Sequence, residues 1–182
     1  MILASKSPRR KEILQRNGYD FKTIPSHSKE VFDFSLPLDE ALEKVAYQKA
    51  KEVQKEHSED IILSADTIVV MNGKILGKPK SDKQAHEFLR SYSHHHHQVK
   101  TGVCILTPKK EYSFVETTTV YFKKITDKDI ASYMALNTYM DKAGAYGIQD
   151  PGFINYIDHI EGSFTNVVGL PEEKVNEILR KL

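Results

Sequence analysis

A chain of 182 residues, 40% hydrophobic and 28% charged, fits a soluble globular protein of one domain with enough core to need no staples. Its 26 basic and 25 acidic residues leave a net charge of +1, which excludes a global field drawing it to nucleic acid or to a membrane surface. The single cysteine, Cys104, excludes an intramolecular disulfide and a cysteine cluster for zinc. No signal peptide opens the chain and no apolar run is long enough to cross a bilayer, so the expected location is cytoplasmic.

"MILAS" reads as a short strand running into a helix capped by Ser7, with Pro8 at its first position and Ile13 and Leu14 on its apolar side. "FKTI" is a second short strand, and "SHSKEVFDFSLPL" a polar loop. Leu42, Val45, Ala46, Ala50 and Val53 fall at helical spacing. "DIILSADTIVVMNGKIL" is two strands joined by Asn72-Gly73, a two-residue hairpin signal. Ser81 or Asp82 starts a helix carrying Ala85, Phe88 and Leu89. The four histidines His94–His97 form an exposed loop before the strands "HQVKTGVCIL" and "YSFVETTTVYF". Thr126 with Asp129 resembles a capping box. "DKAGAYGIQDPG" is too rich in glycine for a regular element, "YIDHI", "EGS" and "FTNVVG" suggest a last hairpin, and Pro171 opens a closing helix with Val175, Ile178 and Leu179 on one face. Helices alternate with strands early and hairpins dominate late, which predicts an α/β protein with a mixed sheet.

The chemistry begins at Ser7. Arg9, Arg10 and Lys11 crowd the first turn of a helix, where the dipole is already positive and carboxylates are the stabilising residues. One account is a missing anion: free N–H groups and guanidiniums would converge on phosphate oxygens. The other is that the arginines point into solvent. Lys49 lies four residues from both Val45 and Val53, on the apolar side of its helix, and either snorkels outward or reaches into a site that needs positive charge. Asp66 interrupts a near-continuous apolar strand, where a carboxylate costs several kcal/mol unless it is paired, hydrogen-bonded or metal-bound. It is a metal ligand or base, or else a cap at a strand irregularity. Lys78, in "GKP", adds a cation, and Asp141, Lys142 and Gln149 stand among glycines that permit close approach to a ligand. Pro79 after Gly77-Lys78 excludes a P-loop helix. The residues alone thus suggest an enzyme acting on a phosphorylated small molecule. Aromatic residues do not interleave with the basic ones, which argues against a nucleic-acid module.

"LASKSPRRKEIL", "SADTIVV", "GKP", "VETTTVYF" and "DKAGAYGIQ", in this order, resemble the Maf family of nucleotide pyrophosphatases along nearly the whole chain, residues 1–182 as one domain. The resemblance implies an α/β fold like that of inosine triphosphate pyrophosphatases: an elongated, twisted mixed sheet flanked by helices, with two lobes around a cleft. It implies hydrolysis of nucleoside triphosphates to the monophosphate and pyrophosphate with a divalent cation, Mg or Mn. Asp66 matches the family's proton acceptor and metal ligand, and Glu30 an acidic position near the metal. Ser7, Arg9, Arg10, Lys49 and Lys78 match its phosphate-side residues. Arg9, Thr67 and Gln149 match the positions marking the subgroup that acts on dTTP and UTP, modified pyrimidine nucleotides included. The family further implies a role in nucleotide-pool sanitation and septum arrest, and a habit of homodimerising. A non-catalytic, nucleotide-binding regulator of septum formation is the alternative. Three positions depart from the family pattern: Asp150 stands where Gly is usual, Lys29 replaces an acid before Glu30, and "SHHHHQV" replaces a loop in which only His97 stays in register.

Overall fold

The structure is a computed structural model that describes residues 1–29 and 31–182; Glu30 lies outside the described residues. "MILAS" keeps only Ile2–Leu3 as strand β1, because Ser5 and Ser7 turn the chain into helix α1, Pro8–Arg16. There follow β2 (Lys22–Thr23), α2 (Leu38–Gln54), β3 (Ile62–Met71), β4 (Lys74–Leu76), α3 (Asp82–Tyr92), β5 (His96–Leu106), β6 (Glu111–Phe122), α4 (Asp127–Met134), β7 (Ile157–Glu161), α5 (Phe164–Val168) and α6 (Glu172–Leu179). Seven strands hydrogen-bond in the order β2-β1-β3-β5-β6-β7, with β4 on β3. The sheet is mixed, as the alternation of elements implied. β1 pairs parallel with β2 and β3, whereas β3–β4 and β6–β7 are antiparallel. Asn72 and Gly73 take the two positive φ values, 50° and 73°, that a tight hairpin requires.

The chain divides into two compact units. The first holds Met1–Asp66, Thr101–Glu116 and Gly169–Leu182, and the second Thr67–Lys100 and Thr117–Val168. The core of the first contains Ile2, Ala4, Ala46, Ala50, Val53, Ile62, Cys104 and Leu106. Small residues on α2 let the helix lie close to the strands. At Gly102 of β5 a Cβ would sit 2.8 Å from the Leu42 carbonyl oxygen, so any side chain there would push α2 away. Cys104 is fully buried, and burial pushes its thiol up to about 11, as befits a small hydrophobe rather than a nucleophile. The second unit is built on aromatic rings, with Tyr92 edge-on to His97, Phe122 and Tyr146 tilted against it, and Phe153 stacked on Tyr146.

Two local expectations are corrected. "FTNVVG" is not a hairpin strand. β7 takes the free side of β6, and the next residues form α5, started by the Ser163 hydroxyl accepting from the Asn166 N–H at 3.2 Å. The buried Asn166 amide then donates to the Val99 carbonyl and the Thr118 hydroxyl, tertiary bonds that override the strand propensity of "FTNVV". Of the two candidate caps of α3, it is Ser81 whose hydroxyl accepts from the Gln84 N–H. The histidine run is only half a loop: His94 and His95 are exposed in the connection, while His96 and His97 open β5 and alternate exposed and buried. Among the described residues no helix is long and apolar enough to cross a membrane.

Candidate active site

In the first unit, the Ala4 N–H donates to the Leu63 carbonyl at 2.8 Å, extending the parallel pairing of β1 with β3. The chain therefore leaves β1 level with Ser64, and α1 begins at the same end of the sheet toward which Ser64 and Asp66 run. Ligands of open α/β sheets collect at such carboxyl ends. The loop after β2 leaves at this end too, and Glu52 of α2 grips it. Its Oε2 accepts from the Ser26 hydroxyl, the His27 N–H at 2.9 Å and the Ser28 N–H at 2.7 Å. Those bonds, the one from Ser26 foremost, hold the Glu52 carboxyl below its ordinary range. Sequence reasoning gave Glu52 no role, since nothing local marks its partners.

The two arginines of α1 separate. Ser7 caps the helix, its hydroxyl accepting from the Arg10 N–H at 3.4 Å, and no acidic residue occupies the first turn. Arg10 stands three residues before Ile13 and four before Leu14, and these three are the buried residues of the helix. Its guanidinium donates from Nε to the Gly169 carbonyl at 2.8 Å and from Nη1 to the Ser5 hydroxyl at 3.0 Å. Arg10 thus ties the start of α1 to the segment leading into α6. Arg9 is half-buried and, among the described residues, has no hydrogen-bond or ion-pair partner.

Lys49 and Asp66, each anomalous in its own element, meet. Lys49 Nζ donates to Asp66 Oδ1 at 2.5 Å, with the two side chains only 12% and 10% exposed. The pairing follows from strand periodicity. Ser64 and Asp66 share one face of β3, the Ser64 hydroxyl donates to the Ala46 carbonyl at 2.6 Å, and Lys49 lies one turn further along α2. Among the described residues no three His, Cys, Asp or Glu side chains cluster as a metal site. The buried Asp66 carboxylate nonetheless suits Mg²⁺ or Mn²⁺ arriving with a nucleotide, since Mg²⁺ is usually held by one or two carboxylates plus substrate phosphates and water. The Glu30 assignment lies outside the described residues.

In the second unit, Thr67 follows on the opposite face of β3 and is half-buried. Lys78 is exposed, and the "GKP" segment is joined to the glycine-rich one: the Gly144 N–H donates to the Gly77 carbonyl at 3.1 Å. The Tyr92 hydroxyl donates to the Gly144 carbonyl at 2.8 Å. Gly144 adopts φ +72°, and a Cβ there would meet the Tyr92 oxygen at 2.8 Å, so the position admits only glycine. Gln149 is exposed at the tip of a turn. His97 is 1% exposed and, among the described residues, neither ring nitrogen has a hydrogen-bond partner; burial pushes its imidazole down to about 3. A neutral, enclosed ring of this kind is neither metal ligand nor proton carrier.

The profile of the Maf-like protein family matches residues 1–182. The chain belongs to that family. As a Maf-like protein it is similar to a dTTP/UTP pyrophosphatase of Alkaliphilus metalliredigens, 46% identical over 184 residues that cover 100% of this chain and 95% of the relative. A dTTP/UTP pyrophosphatase of Geobacillus sp. is 42% identical over 181 residues, 99% of this chain and 97% of the relative. A third, of Halalkalibacterium halodurans, is 43% identical over 180 residues, 99% and 94%. The α/β fold with its mixed sheet agrees with this membership.

Proposed function

We propose that this Maf-like chain, acting as one domain over residues 1–182 in the cytoplasm, is a nucleoside triphosphate pyrophosphatase converting dTTP and UTP to the monophosphate and pyrophosphate. The observation that carries the reading is the buried Lys49–Asp66 pair in the middle of apolar β3. Such a pair contributes little net stability, because desolvating two charges offsets their attraction. Nucleotide chemistry gives it a reason to exist, and relatives covering nearly the whole chain carry the matching name.

Water attacks the α-phosphorus, the bond to the β-phosphate oxygen breaks, and pyrophosphate leaves with the negative charge. Asp66 accepts the proton of the attacking water, and Lys49, which holds that carboxylate before substrate arrives, turns to a phosphate oxygen when the nucleotide binds. Arg9, through its guanidinium and its backbone N–H at the start of α1, neutralises phosphate oxygens in the geometry that guanidinium and helix ends offer. Arg10, which the family pattern also counts on the phosphate side, is assigned instead to bracing this end of the helix, since two of its donors serve Gly169 and Ser5. Lys78 supplies a further cation, and Thr67 and Gln149 select the base. Asp66, with Glu30 of the family pattern, would hold the divalent ion. When bound, that ion supplies Lewis-acid stabilisation of the charge building on phosphate. Gln149 both donates and accepts, matching the N3–H and carbonyl of thymine and uracil, whereas cytosine presents an unprotonated N3.

A panel of dTTP, UTP, CTP, GTP and ATP with Mg²⁺ or Mn²⁺ tests the reading by its products. Pyrophosphate and monophosphate are expected, with dTTP and UTP preferred by up to ~10⁴-fold in kcat/KM, the range a hydrogen-bonding site can reach. Release of orthophosphate from every nucleotide would overturn the reaction type. Equal turnover of CTP would overturn the base selection alone.

A further inference from the structure

Gln149 stands on a turn whose two ends are bound to each other twice. The Asp150 N–H donates to the Gly147 carbonyl at 3.0 Å, and the Gly147 N–H donates back to Asp150 Oδ2 at 3.2 Å. Between them Ile148 is buried, 3% exposed, and Gln149 projects outward. The same carboxylate oxygen also accepts from the Tyr133 hydroxyl at 2.5 Å and the Thr138 hydroxyl at 3.1 Å. It lies 3.2 Å from the Lys142 ammonium, whose side chain is 11% exposed against 14% for Asp150. Lys142 donates in addition to the Thr138 carbonyl, and the Gly147 N–H is shared with the Tyr133 oxygen at 3.2 Å. The fit around the turn is tight. A Cβ on Gly147 would come within 2.7 Å of Asp150 Oδ1 and 2.8 Å of Lys142 Cε. Burial and the bond to Asp150 hold the Tyr133 phenol above its ordinary range, so it stays a donor at any working pH.

Covering the Lys142 charge would take one carboxylate contact. Here four separate donors converge on one carboxylate oxygen, and the residue carrying it also closes the turn with its own backbone. Networks of this kind rigidify the segment they hold. We propose that Asp150 is a positioning residue: with Tyr133, Thr138 and Lys142 it locks the Gly147–Asp150 turn so that the Gln149 amide is presented in one orientation, and it thereby sets the selectivity for dTTP and UTP. The proposal rests on the reading of Gln149 as the group that meets the base.

The test compares the wild type with Asp150→Asn, Tyr133→Phe, Gln149→Ala and the Asp150→Asn/Gln149→Ala double variant. Asp150→Asn is preferred to Asp150→Ala because it keeps the shape of the group packed against the Lys142 ammonium, and Tyr133→Phe removes one donor without touching the charge pair. Three quantities are read: the dTTP:CTP ratio of kcat/KM, the separate KM and kcat for dTTP, and amide hydrogen exchange at Gly147 without nucleotide. Asp150→Asn is expected to narrow the ratio about tenfold, with the loss concentrated in KM, and to speed Gly147 exchange by a similar factor. Tyr133→Phe should move both in the same direction by less. The double variant should be no less selective than Gln149→Ala alone, since the two act in series. If Gln149→Ala narrows the ratio and Asp150→Asn does not, Asp150 is structural only and the proposal fails while the base-reading role of Gln149 stands. If Gln149→Ala leaves the ratio unchanged, the base-reading role fails. Unchanged Gly147 exchange in Asp150→Asn overturns the locking itself, whatever the substrate data.

Discussion

Replacing Arg9 and Arg10 separately by alanine should damage different properties. Arg10→Ala removes the bonds from Nε to the Gly169 carbonyl and from Nη1 to the Ser5 hydroxyl, around a side chain 9% exposed. Hydrogen bonds to a charged group contribute about 1.5–3 kcal/mol each, so two give about 3–6 kcal/mol. Relief of repulsion with the helix dipole returns only ~0.3–1 kcal/mol. For a protein of this length about 2–4 °C is lost per kcal/mol, so the melting temperature of the nucleotide-free protein should drop by roughly 10 °C. Arg9 makes no such bonds among the described residues. Arg9→Ala should leave melting unchanged or raise it slightly, and should weaken a non-hydrolysable dTTP analogue by ~10- to 100-fold, one charged hydrogen bond to phosphate. Thermal denaturation without ligand and calorimetric titration with the analogue measure the two effects separately. If both variants melt alike, or if Arg10→Ala melts normally and loses nucleotide as Arg9→Ala does, the division of labour between the arginines is wrong.

Asp66→Asn should cut kcat at least ~10²-fold at saturating metal, the lower range of acid–base catalysis, while the asparagine carbonyl still accepts from Lys49 and the fold survives; Asp66→Ala should in addition lower stability in urea denaturation, because the buried ion pair with Lys49 is broken from one side. Near wild-type turnover in Asp66→Asn would sink its catalytic role. For His97, burial holds the folded imidazole at about 3, against an ordinary 6.5. The unfolded chain therefore binds the extra proton, and the stability that His97 permits is complete above pH 6.5 and falls as pH drops toward 3, by about 3 kcal/mol at pH 4. His97→Phe should abolish that part of the pH dependence when unfolding free energies at pH 7 and pH 4 are compared, and equal losses in both proteins would show that the ring is not held neutral.

Much of the frame was legible because it is written locally. The near-continuous apolar run "IILSADTIVVM" became β3, Asn72-Gly73 the hairpin, Ser7-Pro8 the start of α1, and Thr126 and Asp129 a full capping box with both reciprocal bonds. The family motifs told which residues to watch, and Asp66 and Lys49 were suspect on pattern alone. The misreadings share a cause, which is contact across long sequence separations. α5 depends on Asn166 reaching Val99, 67 residues away, and no propensity scale sees that bond. His97 reads as part of a polar run until β5 sets the alternation and turns it inward. Asp150, legible in the sequence only as a departure from the family's Gly, acquires its partners when Tyr133, Thr138 and Lys142 fold around it. Arg10 is different, since its signal was present. Its spacing from Ile13 and Leu14 places it on the buried stripe, a signal that stands beside the accumulation of charge in the first turn.

The charged residues that break the pattern of their elements therefore fall into two kinds, and what each is bonded to tells them apart. Arg10 interrupts the apolar stripe of α1, and its guanidinium donates to a backbone carbonyl and a hydroxyl, groups that stay in place whether or not a ligand arrives. Such bonds fix a helix end, and their loss is a loss of stability. Lys49 and Asp66 interrupt α2 and β3 and are bonded to each other. An apolar pair of similar volume would hold helix and strand together at least as well, so packing does not explain why charge stands there. An ammonium and a carboxylate facing each other can instead exchange partners, the one turning to a phosphate oxygen and the other to a metal ion or to the proton of water. Locally inconsistent residues concentrate where function overrides foldability. By this criterion the proposed site of the first unit centres on Lys49 and Asp66, and Arg9, whose side chain has no partner among the described residues, is the cation proposed to face phosphate beside them.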